Sequence, residues 1–352
     1  MELMTTSTRA DKPSSAPART AGTEAGAPYR NYVTAALGRV LGMSKASLIA
    51  LAVIILIGAI ANPTAFLTLG NLHAVLLFWP IVAICALGQL FAILSGGIDL
   101  SLAGIFVVVG ATTMRLHADG LSDVVTICVA LLVGVACGLL NGVLIGFLRV
   151  IPLACTLATL FLFSGIATWL SGGSTLYGAP ESLRWIVAGS WGSIPFTVIV
   201  GTAVLLLAVL LLYRTSVGLK IRAFGDSPKI VQVAGLRRPA IQLWVYSLSA
   251  LCFSIAALVQ MGTLNSFYAN GGSNLLLPAV AAAALGGAVL TGGTGSVFGL
   301  AVGALVLAAV GNVFDLLRWS PEAQQIGIGV VLVVTLLVEK FITSKTAGRR
   351  NA

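Results

Sequence analysis

Apolar residues run along this chain in long blocks broken by short polar or glycine-rich seams, and the blocks carry almost no charge. Between Ala46 and Met114 the only Asp, Glu, Lys or Arg is Asp99, and the 76 residues from Pro239 to Phe314 hold none. A bilayer crossing takes roughly 20 apolar residues, so each stretch holds several crossings rather than one oversized core helix. Read block by block, the pattern predicts about ten spans, near 47–66, 71–94, 100–116, 123–148, 152–171, 195–213, 240–263, 277–291, 296–317 and 323–342. The third and eighth are short, and Pro63, Pro80 and Pro278 fall where proline bends or breaks a helix. The fold class is therefore an all-α polytopic membrane protein, its transmembrane domain covering 46–342. Residues 1–45 are rich in Ser, Thr, Ala, Pro and Gly and lack an early apolar core. They read as a disordered tail rather than a signal peptide, and 343–352 as a second tail.

Composition agrees and narrows the classes. The chain is 58% hydrophobic and only 9% charged, against about 25% charged in soluble domains, which excludes an ordinary cytosolic enzyme. The net charge of +9 does not point to nucleic acid, because the bases flank apolar runs instead of forming a stripe. With ten spans and the N-terminus inside, 17 Lys and Arg fall on inside segments and only Arg115, Arg184 and Arg318 outside; without the N-terminal tail the ratio is 11 to 3. The positive-inside rule then places both termini in the cytoplasm. The five cysteines all fall within spans at no redox or metal-ligand spacing, and read as packing residues.

Two loops stand out. Outside segment 172–194 has room for a short helix at the mouth. Inside segment 214–239 is the longest basic loop and carries helix signals: Asp226 or Ser227 as cap, Pro228 for the first turn and Gly235 as stop. It reads either as a docking helix or as a solvated loop that fixes topology. Glycines recur every four residues at Gly134, Gly138, Gly142 and Gly146, and again at Gly295, Gly299 and Gly303. Such stripes let helices approach closely, within one subunit or between two. Leu94-Ser95-Gly96-Gly97 is faintly echoed by Leu290-Thr291-Gly292-Gly293, six spans later and so on the same side.

Chemistry is conspicuous by its absence. There is no Gly-Lys dipeptide for a nucleotide-binding loop, no G-x-S-x-G elbow, and two distant histidines, His73 and His117. Catalytic and metal-binding residues are expected to be none. Asp99, beside Gly96, Gly97 and Ser101, is the lone carboxylate among the early spans. It reads as a cation or proton site or as a cap for the third span. Gln89, Asn141, Thr156, Thr159 and Asn312 are polar groups within spans. Each is a candidate for the solute path, or satisfies itself within its own helices. A transporter with neither an ATPase loop nor a plain ion site draws its energy from a partner.

Taken in order, several segments resemble the permease subunits of ribose-type ABC importers. They are Phe66-Leu67-Thr68 with Asn71-Leu72, Ser95-Gly96-Gly97-Ile98-Asp99-Leu100-Ser101, Gly138-Leu139-Leu140-Asn141-Gly142, Ala223-Phe224-Gly225, Ala234-Gly235-Leu236 and Ala281–Gly287 with Gly286, Gly287, Gly292 and Gly293. The resemblance implies a type II importer permease of ten helices in the bacterial inner membrane, acting as a homo- or heterodimer. It implies partners: cytoplasmic ABC ATPase subunits that use ATP and Mg, and an extracytoplasmic solute-binding protein. No cofactor would bind this chain. The ATPase coupling helix would comprise Gly225, Asp226, Ser227, Pro228, Lys229, Val231, Ala234 and Gly235. Ser227-Pro228-Lys229-Ile230-Val231 departs from the family's usual Asn, acidic residue and alanines. Leu275-Leu276-Leu277-Pro278 likewise lacks a common acidic residue. A stand-alone secondary transporter or facilitator is the alternative class.

Overall fold

In the computed structural model, the described residues are 45–334 other than 193, 228–230, 232, 321 and 332. The expected tails therefore lie outside the described residues, apart from Lys45, as does the end of the tenth span. In chain order the described elements are α1 (Lys45–Ala61), α2 (Pro63–Phe66), α3 (Leu69–Leu94), α4 (Leu102–Ala118), α5 (Asp123–Gly146), α6 (Pro152–Ser171), β1 (Leu176–Tyr177) and α7 (Glu181–Ala188). There follow β2 (Ser190–Trp191), β3 (Ile194–Pro195), α8 (Phe196–Arg214), α9 (Ser216–Asp226), α10 (Arg238–Leu264), β4 (Ser266–Phe267), α11 (Ser273–Leu285) and α12 (Val297–Leu316). Residues 322–331 are again helical. Among the described residues, α3, α5, α6, α8, α10 and α12 are long and apolar enough to cross a membrane, while α1, α4 and α11 are shorter apolar helices.

Local chemistry sets most boundaries. Asn62 divides the first expected span: its side chain accepts from Ala65 N at 3.3 Å, and Pro63 opens α2. Thr68 caps α3 by accepting from Asn71 N at 3.2 Å, and Ser296 caps α12 by accepting from Gly299 N at 3.1 Å. Asn265 closes α10 in the left-handed region at φ 52°. The eighth span is displaced toward the N-terminus, to 273–285, because the chain turns at Gly286–Gly287, where Gly287 holds φ 84°. The short helix expected within 172–194 is α7.

α3 is buried without interruption from Pro80 to Leu94, and α4 from Leu102 to Met114. These two helices form the centre of the bundle. α5, α6 and α8 carry exposed Leu132, Phe161, Leu162, Leu206 and Leu207, as a lipid-facing surface does. The glycine stripes pack inside the chain. A β-carbon at Gly138 would strike the Tyr246 carbonyl and Ala250 of α10, and one at Gly142 would meet Leu243 at 2.8 Å. Gly299 and Gly303 face the backbone of Gly286 and Ala282 in the same way.

Hydrogen bonds define two ends of the bundle. At the first, Gly293 N donates to Leu94 O (3.1 Å) and Ser47 Oγ to Leu285 O (2.6 Å). At the second, β1 pairs antiparallel with β4, and Ser182 N donates to Asp123 Oδ2 at 2.8 Å, tying α7 to α5.

Candidate functional site

Asp99 sits where Gly96, at φ 82°, turns the chain between α3 and α4, and it is fully buried. Its Oδ1 accepts from Ser101 N (3.0 Å) and Ser101 Oγ (2.5 Å). Ser249 Oγ of α10 lies 3.0 Å from its Oδ2 and 2.9 Å from Gly88 O, with one proton to give. Gln89 clasps the Asp99 backbone, donating Nε2–H to Asp99 O (2.5 Å) and accepting from Asp99 N (3.3 Å). Asn141 of α5 donates to Ser101 Oγ at 2.8 Å. Thr156 Oγ1 donates to Pro152 O (2.9 Å) and lies 3.4 Å from Ile98 O, while Thr159 Oγ1 donates to Cys155 O at 3.1 Å. The Tyr246 hydroxyl lies beside Gly97. Four of the five candidate path residues thus have their side chains bonded inside the bundle. Gln89, Asn141, Thr156 and Ser249 lock the Gly96–Ser101 turn against α3, α5, α6 and α10 respectively, and Asp99 is the node of that lock.

The fifth, Asn312, is elsewhere. It borders a cavity of about 400 Å³ toward the second end, between α3, α10, α11, α12 and the helical residues after 321. Phe78, Val82, Pro278 and Leu307 supply apolar wall; Gln260, Tyr268, Asn274, Asp315, Gln324 and Gln325 supply polar groups. Asn312 Nδ2 donates to Asn71 Oδ1 (2.7 Å), and Gln324 Nε2 to Asp315 Oδ1 (2.8 Å). Gln260 is only 3% exposed, and its Oε1 has no hydrogen-bond partner. Sequence reading passed over Gln260, although it gives the signal that marked Gln89: a long amide within an apolar span.

At the first end the 214–239 segment holds one helix more than expected, ahead of the late one. Thr215 Oγ1 accepts from Gly218 N at 3.3 Å and starts α9, so Gly225 and Asp226 close that helix instead of opening the next. The Arg222 guanidinium holds α9 to α8, donating to Leu212 O at 2.9 Å and lying 4.8 Å from the Tyr213 ring centroid. Ser227, in extended backbone, ends α9, and its carbonyl accepts from Val231 N at 3.2 Å as the expected cap of the late helix would; residues 231 and 233 are helical. Leu236 N returns to Val231 O at 3.1 Å, and Gly235, at φ 75°, ends the turn. Val231 is buried and Val233 is 90% exposed; Ala234 is also exposed, and Pro228 and Lys229 lie outside the described residues. Gly225 lies directly against Leu94 O and Gly293 N, and Gly292 against Gly96. The two faintly similar Gly-Gly turns therefore meet each other and the end of α9. A hollow of about 490 Å³ beside this joint is bordered by Tyr213, Arg222, Asp226 and Gly293.

Residues 71–336 match the family described as branched-chain amino acid transport system / permease component. The chain is 32% identical to the ribose import permease protein RbsC of Escherichia coli (strain K12) over 84% of this chain and 94% of that protein. It is 32% identical to the galactofuranose transporter permease protein YtfT of the same organism, over 74% and 78%. With the fructose import permease protein FruF of Bifidobacterium longum it shares 29% identity over 72% and 73%. No solved structure matches the chain at a significant level.

Proposed function

The chain belongs to the branched-chain amino acid transport system / permease component family, and from that premise we propose that it forms the membrane path of an ATP-driven importer for a sugar or sugar-like solute. The observation that carries this reading is the likeness to sugar permeases over most of both chains. Consistent with it are a cavity of about 400 Å³ at one end, roomy enough for one sugar ring, and a close backbone joint of Gly225 with Leu94 and Gly293 at the other. Being a permease, the chain is a transporter and not an enzyme. ATP and Mg would be handled by cytoplasmic ATPase subunits, and solute would be delivered by an extracytoplasmic binding protein. A second permease, identical or not, would complete the path.

In this reading the first end is cytoplasmic, as its basic residues Arg214, Lys220, Arg222, Arg237 and Arg238 favour. Ten spans follow if α1, α4, α11 and the helix after 321 cross with the six long helices, with both termini inside. Gly225–Gly235 supplies the coupling helix: buried Val231 anchors it in the chain, and exposed Val233 enters a groove of the ATPase. Gly225 passes the resulting push to Leu94 and Gly293 together, because no side chain intervenes. Closure of the ATPases would then shift α3 against the α11–α12 turn and switch access from the outer cavity to the inner hollow. Proteoliposomes test this. The chain alone should accumulate no sugar, and adding the ATPase, the binding protein and ATP should start uptake. Accumulation by the chain alone would sink the proposal.

A further inference from the structure

A cavity whose buried polar lining is short of donors selects its occupant by chemistry. Among the described residues, Gln260 Oε1 and Asn312 Oδ1 are both buried acceptors without partners. Leaving such a group unpaired costs free energy, so native structures retain few unless something else satisfies them. Both residues line the same space, with the Asp315 carboxylate at its exposed side and no Lys, Arg or His in its lining. The ionised group of a phosphorylated or carboxylated solute has no proton for these acceptors, finds no cation in the lining and would be repelled by Asp315. A buried cation would lack a counter-charge, since Asp315 is exposed and already accepts from Gln324 at 2.8 Å. A neutral polyol fits both demands. Its hydroxyls donate to the two amide oxygens, and its C–H faces lie on Phe78 and Pro278. About 400 Å³ accommodates one sugar ring.

We infer that this cavity is a solute site for an uncharged, polyhydroxylated molecule of monosaccharide size, with Gln260 as the residue that demands a hydroxyl donor. The inference rests on the import reading and extends it to a place and a chemical class. Gln260 is poorly explained by folding, since leucine of similar length would remove an unpaired acceptor from the interior.

The test is uptake of radiolabelled D-ribose, D-allose and D-fructose by proteoliposomes holding the full chain, its ATPase and its binding protein. Gln260→Leu should lower the maximal rate about tenfold, the effect of roughly one well-made hydrogen bond. The half-saturating concentration, set by the binding protein, should stay put, and the melting temperature should be at or above that of the unaltered chain. Gln260→Asn should recover part of the rate. Uptake by Gln260→Leu at the unaltered rate would overturn the site, as would a rate loss matched by a lower melting temperature. Uptake that persists without ATP would overturn the importer reading alone, because the Gln260 comparison still holds. No uptake of any of the three sugars would overturn both.

Discussion

Ser101, just ahead of α4, and Ser249 of α10 bring three hydrogen-bonding groups to the Asp99 carboxyl group, which holds the turn before α4 rather than capping that helix. Ser101 supplies its backbone N–H and its hydroxyl to one oxygen, and the Ser249 hydroxyl faces the other. These bonds commit the carboxyl group to holding the Gly96–Ser101 turn. An amide can replace the carboxyl group here. Asn at 99 keeps an acceptor for Ser101, and its NH2 donates to Ser249 Oγ while that hydroxyl donates to Gly88 O. Asp99→Asn should therefore retain uptake and thermal stability, whereas Asp99→Leu leaves the Ser101 N–H and hydroxyl without their acceptor and should cost about 2–4 kcal/mol. Thermal unfolding of the purified variants, beside uptake, checks both. Loss of uptake in a stable Asp99→Asn protein would favour the ion-coupled transporter instead.

Among elements, the α5–α10 seam shows how closely helices meet when one presents only hydrogen. Gly138→Ala would push a methyl group into the Tyr246 carbonyl and Ala250, an overpacking that should cost about 1–3 kcal/mol. Gly165 of α6 meets nothing within 4 Å, so Gly165→Ala should be neutral or stabilise by up to about 1 kcal/mol through helix propensity. The same pair of denaturation measurements compares them, and equal effects would deny the seam. The period of these glycines was legible in the sequence; their partner was not, because spacing shows that a close approach occurs and not which helix makes it. The limits of α6 and α8 were legible for a related reason, since Pro152 and Arg214 punctuate uniformly apolar runs. α9 was not. Thr215 with Gly218 gives a weak cap signal next to Asp226, Ser227 and Pro228, so the segment read as one loop with a late helix. The Asp99 lock was visible only in pieces. Gln89, Asn141 and Thr156 each stand out as polar in an apolar run, but their convergence depends on tertiary packing, and Ser249 is an ordinary helix serine until α10 docks.

For the molecule as a whole, the arrangement at the first end sets what an ATPase can do to a distant solute site. Leu94 ends α3, buried without interruption from Pro80, and Gly293 belongs to the turn between α11 and α12; both touch Gly225. α3, α11 and α12 are also walls of the cavity at the other end. Rigid helices that share a joint at one end and a cavity at the other transmit a displacement without any further wire. A β-carbon at Gly225 has no room between the Leu94 carbonyl and Gly293 N, so Gly225→Ala must shift α9 away from one of them. The expected outcome is a slipping clutch: more ATP hydrolysed per sugar imported, by at least several-fold, with the complex still assembled. Gly70→Ala in α3, whose β-carbon meets nothing within 4 Å, should leave that ratio unchanged. Parallel measurement of phosphate release and labelled sugar uptake reads the ratio directly. If Gly225→Ala imports as much sugar per ATP as the unaltered chain, the force travels by another route, and the contact between the two Gly-Gly turns is only packing.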